Sequence, residues 1–204
     1  GNLVLKKVDE RPSYRLFVHE PARAEALLWL AKTYTAQEKY AEALSVIQYV
    51  KNDDKFYKNL DKELLLTEAN VYIQKKDYAQ AIAPLEKFLT MTKKKKQRLR
   101  PLLALAQIHE KLGNHAQSAG FYKIALKSNP GYDMEFYAKM QQTRLSRKGK
   151  VDIDEVKKIL VKMSHDGKYK EYLDQIYYEL GEITLGENNR SVAREWYHKS
   201  VNNS

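Results

Sequence analysis

Five histidines, His19, His109, His115, His165 and His198, are the side chains best suited here to hold a metal or pass a proton near neutral pH. Their spacing supports neither. None belongs to a His-Glu-x-x-His pair, and none has a close second histidine or a cysteine at ligand spacing. Cysteine is absent, which removes thiolate nucleophiles, disulfides and thiolate metal sites. No glycine-rich phosphate loop and no Gly-x-Ser-x-Gly elbow appears, and Asp152 and Asp154 read as helix-capping residues. No catalytic residue, metal ligand or cofactor site is expected. The chemistry that remains is electrostatic. Net charge is +10, and Lys87, Lys93, Lys94, Lys95, Lys96, Arg98 and Arg100 follow one another without an acid between them. A second basic stretch holds Lys139, Arg144, Arg147, Lys148 and Lys150. Both read as straddling connections between helices. Such a run is a solvated loop that aids solubility, or a patch that meets an acidic protein surface or anionic lipid headgroups. Nucleic acid is not expected, because no recognition module accompanies the charge.

The elements that carry these residues repeat. Leu30-Ala31, Tyr34, Tyr40 and Ala43 recur 38 residues on as Ala69, Tyr72, Tyr78 and Ala81. A further 37 residues gives Leu105-Ala106, His109, His115 and Ser118, and 75 more gives Leu180-Gly181, Thr184, Arg190 and Ala193. A period of this length marks a solenoid of stacked units. Small residues at Ala31, Ala69, Ala106 and Gly181, each answered twelve residues later by Ala43, Ala81, Ser118 and Ala193, let two antiparallel helices approach closely. One such hairpin cannot bury its apolar face alone, so neighbours must stack. His109 and His115 stand where other units carry tyrosine and so read as packing residues.

Leu27 to Tyr34 with Lys39 to Leu44, and Gly113-Asn114-His115 through Phe121 to Pro130, resemble the tetratricopeptide repeat. The resemblance implies an all-α helical-hairpin solenoid of about four full repeats plus a partial N-terminal one. Units are expected near 24–57, 62–94, 99–131, 133–166 and 174–204, the fourth with a degraded signature. Residues 1–20 read as a partial helix and connector. Hydrophobic residues make up 43% of the chain, and 8 Gly and 5 Pro are few enough for nearly continuous helix. No apolar run approaches the roughly 18 residues of a membrane span. The first residues do not read as a signal peptide, and the missing initiator Met suggests a processed chain or a fragment. After Val201 no polar capping helix follows, which suggests that the protein continues or that another surface covers Trp196 and Tyr197.

Capping pairs locate the second helices. Asp77 with Gln80, Asn114 with Gln117 and Asp152 with Glu155 place a short acceptor three residues before Gln or Glu. They predict helices near 78–92, 115–128 and 153–165, with Asn189 capping the last helix and Pro21 in the first turn of another. Asp133 to Ser146 reads as the first helix of the degraded unit, and Val156, Ile159, Leu160 and Met163 form one buried stripe of its second.

In tetratricopeptide arrays the first helices line a concave groove. The resemblance puts Leu28, Lys32, Leu66, Asn70, Ile73, Arg100, Leu103, Gln107, Lys111 and Tyr178 on it, a mixed lining able to hold an extended or helical peptide. The same side chains read equally as solvated, or as contacts to neighbouring helices. The basic patch is Lys93, Lys94, Lys95, Lys96, Arg98 and Arg100. The clamp by which chaperone-binding arrays hold a C-terminal carboxylate is not expected, since its places are filled by Leu28, Lys32, Thr67, Arg100 and Ala104 and only Arg100 suits it.

The order of motifs carries a narrower resemblance. It runs from Arg23 to Ala31 and Tyr78 to Lys87, through Lys127 to Met134 and Glu155 to Leu160, to Lys170-Glu171-Tyr172-Leu173-Asp174-Gln175-Ile176-Tyr177-Tyr178. This order resembles the tetratricopeptide outer-membrane lipoproteins of Bacteroidetes associated with gliding motility and type IX secretion. It implies a non-catalytic protein–protein interaction scaffold at the periplasmic face of the outer membrane, held by a lipid anchor outside this chain. Its partners would be proteins, acidic ones or components of an envelope assembly. The alternative is a general peptide- or chaperone-binding, or regulatory, module in the cytoplasm.

Overall fold

The structure, a computed structural model, describes residues 22–53, 60–145 and 153–204. The expectations for residues 1–20, His19, Pro21, Arg147–Lys150 and the Asp152 cap lie outside them. Ten α-helices and no strand occur among the described residues: α1 Arg23–Ala36, α2 Tyr40–Lys51, α3 Asp61–Gln74, α4 Tyr78–Met91, α5 Lys95–Lys111, α6 His115–Leu126, α7 Tyr132–Leu145, α8 Ile153–Ser164, α9 Leu173–Gly186 and α10 Arg190–Val201. A 3-10 segment, Gly167–Tyr172, stands between α8 and α9. The first element of the degraded unit is α7, within a residue of its predicted bounds.

Small residues sit where the helices of each pair meet. Ala31, Ala43, Ala69, Ala81, Ala106, Ser118 and Ala193 are all buried to within 1%. At Gly181 a Cβ would stand 2.6 Å from the Tyr197 ring, so α9 and α10 approach more closely than any other side chain permits without moving that ring. Four of the pairs turn in the same way. Three residues join the helices and the middle one, Glu38, Lys76, Gly113 or Asn188, has φ between 60° and 75°. The following amide then donates five residues back: Lys39 to Tyr34, Asp77 to Tyr72, Asn114 to His109 and Asn189 to Thr184. This closure satisfies carbonyls that a helix end leaves open. Glutamate and lysine tolerate the left-handed conformation less well than glycine. Glu38→Gly and Lys76→Gly are each expected to raise stability by about 0.5–1 kcal/mol in thermal denaturation.

One expectation is corrected. Asp77 and Asn114 begin α4 and α6 as predicted, but neither side chain caps its helix. Their backbone, at ψ 68° and 63°, is close to that of Asn189 at ψ 75°, so the difference lies in where the side chains turn. Asp77 lies 3.8 Å from Lys75 Nζ instead, and Asn114 Nδ2 lies 3.5 Å from His109 Nδ1. Asn189 does cap α10, its Oδ1 accepting from the Val192 amide at 3.4 Å.

The fourth pair departs from the rest. Phe136 and Met140 of α7 and Val156, Leu160 and Met163 of α8 share their core with Tyr169 of the 3-10 segment and Ile176, Leu180 and Ile183 of α9. Ile159, expected in the stripe, is only partly buried. Phe136 stacks on Tyr172 with ring centroids 4.1 Å apart. A polar cluster pins the segment further. Lys139 Nζ donates to Glu135 at 2.7 Å and to the Tyr169 hydroxyl at 3.1 Å, and Lys168 reaches Glu135 at 3.3 Å. Burial is the largest single influence on Glu135 and pushes its carboxyl up, but bonds from Lys139, Tyr169 and Lys168 together hold it down at about 2. A depressed carboxyl contributes stability above its unfolded value, near 4.5, and loses it as pH falls towards 2. Glu135→Gln is therefore expected to destabilise the chain at pH 6. The difference from wild type should shrink between about pH 4.5 and 2 in urea melts.

Candidate docking cleft

The first helices of the second and third pairs, with the start of α7, enclose an open cleft of about 970 Å³. Leu66, Ala69, Asn70 and Ile73 line it from α3, Arg100, Pro101 and Ala104 from α5, and Met134 from α7. Lys95, Lys96 and Gln97 stand at its rim, facing the turn that carries Ser128, Asn129 and Gly131. Its floor is mainly apolar and its rim cationic.

Expected site residues divide into four groups. Leu66, Asn70, Ile73 and Arg100 line the cleft, together with Lys95 and Lys96 of the basic patch. Leu28 does not belong to any surface: it is 1% exposed, in the core among Ile47, Leu64 and Val71. The helix α3 lies across α1 and covers the position that is exposed at Leu66. Leu103 is part-buried among Ala106, Tyr122 and Ala125, again too covered to be a free contact. Lys32, Gln107, Lys111 and Tyr178 lie outside the cleft lining. Lys32 pairs with Glu63 and lies 4.5 Å from the Trp29 ring centre, and Gln107 donates to the Tyr137 hydroxyl at 2.7 Å. Lys111 is exposed at the end of α5, and Tyr178 is exposed on α9 with its ring 6.0 Å from Tyr197.

The basic run is mostly helix. Only residues 92–94 connect α4 to α5, so Lys95, Lys96, Arg98 and Arg100 occupy the first turns of α5. Lysine and arginine are good helix formers, and Pro101 stands inside the helix instead of opening it. Arg98 is a structural residue: its guanidinium donates to the Leu89 carbonyl and, at 2.8 Å, to that of Thr92, closing the end of α4. Lys93 and Lys94 are exposed on the connection. His109 is a packing residue, its ring stacked on Phe121 at 5.3 Å. The cleft residues missed in the sequence, such as Ala104, Asn129 and Met134, come from two pairs and a turn. Asn129-Pro130-Gly131 signalled the turn but not what it faces.

Residues 66–133 match the model of the tetratricopeptide repeat. The stack is a tetratricopeptide-like solenoid. The matched span holds every residue of the cleft lining except Met134. Over 91% of this chain and 97% of the other, the fold follows the nearly identical TPR-like repeats of a kinesin light chain candidate from Podosopora anserina, at a TM-score of 0.66 and 14% identity. A second solved structure, MamA of MSR-1, is similar over 89% of this chain and 97% of its own, at a TM-score of 0.62 and 11% identity. Likeness at that identity speaks to the fold. No curated protein matches the chain. Tetratricopeptide repeats generally mediate protein–protein interaction.

Proposed function

We propose that this chain is a non-catalytic docking scaffold that recruits a protein partner through the cleft between α3 and α5, as part of a periplasm-facing secretion or gliding assembly. The observation that carries the docking is the cleft itself, which joins an apolar floor to a cationic rim on a stack of tetratricopeptide-like pairs. Apolar anchors set the lifetime of such a contact and the rim charge its rate of encounter. Support for the periplasmic face of the outer membrane, with a lipid anchor outside this chain, is the order of motifs from Arg23 to Tyr178.

Photo-crosslinking tests the docking. A photoreactive residue at Asn70 is expected to capture a protein in living cells, and one at Lys123, exposed on α6, to capture little. Adducts at neither position would remove the docking reading, and adducts at Lys123 alone would move the contact away from the cleft. Fractionation tests the location separately. Recovery with outer membranes is expected, and recovery in the cytosol would favour a cytoplasmic peptide- or chaperone-binding module.

A further inference from the structure

We infer that the occupant of this cleft is an internal, extended segment of a partner protein, with an apolar anchor side chain flanked by carboxylates. The inference rests on the docking reading above and adds the chemistry of the guest.

Charge is the first ground. Five cations elsewhere along the stack meet an acid within it: Lys32 pairs with Glu63, Lys51 with Glu68, Lys139 with Glu135, Arg144 with Glu179 and Lys157 with Glu187. Lys95, Lys96 and Arg100 have no acidic partner among the described residues, although all three line one opening. The lone carboxylate there, Asp133, already accepts from the Tyr172 hydroxyl at 2.6 Å. The first turn of α5 contains no acid either, so the cations lie beside the positive end of the helix. A guest carboxylate relieves both repulsions at once, with no ion pair of the protein broken to admit it.

Apolar surface is the second ground. Leu66, 36% exposed, lines the cleft with Ile73 of the same helix and Ala104 of α5. An anchor side chain entering there removes apolar surface on both partners from water. Asn70, exposed between Leu66 and Ile73 on the same helix, offers a donor and an acceptor to a peptide backbone.

The segment is internal because nothing at the cleft grips a chain end. The clamp positions hold Leu28, which is core, Lys32, which is tied to Glu63, and Thr67, which is buried and donates to the Glu63 carbonyl at 2.8 Å. Ala104 has no donor. Arg100 alone remains, and one guanidinium does not distinguish a terminal carboxylate from a side-chain one.

Fluorescence anisotropy on the full chain provides the test. The probes are acetylated, amidated peptides of about ten residues, with leucine or phenylalanine anchors bracketed by glutamates. Saturable binding that weakens with added salt is expected. Lys95→Glu with Lys96→Glu should weaken it by about tenfold and flatten the salt dependence. Leu66→Asp should weaken it comparably, and Lys123→Glu with Arg194→Glu, both exposed outside the cleft lining, should leave it unchanged. Circular dichroism melts confirm that each variant is folded. No saturable binding by any of these peptides, equal binding of peptides with lysine in place of glutamate, or wild-type affinity in the cleft variants would overturn the inference. So would a free terminal carboxylate binding tenfold better than the amide, or displacement of the peptide by pyrophosphate or anionic lipid vesicles at the peptide's own concentration. Crosslinks from Asn70 that persist through any of these results leave the docking reading standing and remove only this account of the guest.

Discussion

Phe136→Ala is expected to destabilise the C-terminal half of the stack by about 3–5 kcal/mol, the range for removing a buried phenylalanine. Phe136 is 6% exposed and sits where α7, α8 and the 3-10 segment meet, stacked on Tyr172 and tilted against Tyr169 at 6.3 Å. No regular hairpin contact stands behind it, because the fourth pair shares its core with its neighbours. In a repeat stack each unit contacts mainly the next, so damage stays regional. The two tryptophans report separate ends. Trp196 in α10 stacks on Tyr177 at 5.8 Å, and Trp29 lies on α1. With one tryptophan kept at a time, the Trp196 transition in urea should move to lower concentration and the Trp29 transition should move much less. Equal shifts at both ends would show that the stack melts as one body. No shift at either would mean that the fourth unit is not held at Phe136.

Ala106→Leu is expected to cost about 1–3 kcal/mol, through overpacking instead of a cavity. Ala106 is fully buried beside Tyr122, Ala138 and Leu145, and its pair partner Ser118 is equally buried. The added atoms have no space unless α5 and α6 separate, which pushes α6 against α7. Ala79→Leu is the control: Ala79 is exposed on α4, and the change there should stay within about 0.5 kcal/mol. Equal melting temperatures for the two variants would refute the close pairing of α5 with α6.

These two residues also mark what the sequence could reveal. Ala106 was legible because close approach demands a small side chain at a fixed place in every pair, and a periodic demand leaves a periodic trace. The role of Phe136 was only half legible. It counted as an apolar contributor to α7, but Tyr169 and Tyr172 lie in a non-periodic stretch whose contacts depend on how α7 and α9 are spaced. The candidate site fared likewise. Leu28, Leu66 and Leu103 occupy one repeat position, yet they are buried, exposed and part-buried in turn. Each unit sets which positions face inward, but the neighbouring unit decides which of those remain open. How much of the basic run is helix was not legible, since charge density signals solvent contact and is silent on whether the backbone beneath it is helical.

The turns and links have a mechanical consequence. Four pairs close through the same three-residue turn, so each is a stiff plate of fixed internal angle. The links between plates differ, and bending of the stack concentrates in the least braced of them. On one side of the cleft the link 92–94 is strapped down by Arg98 and by the Thr92 hydroxyl, which donates to Gln97 at 2.9 Å. On the other, Lys127 to Gly131 passes through a left-handed Asn129, with φ 54°, and Pro130 before α7 begins. The cleft thus stands between one link held by side chains and one shaped by a left-handed residue and a proline. Rotation of α7 about residues 127–131, with α3 and α5 keeping their spacing, is the expected response of the cleft to load.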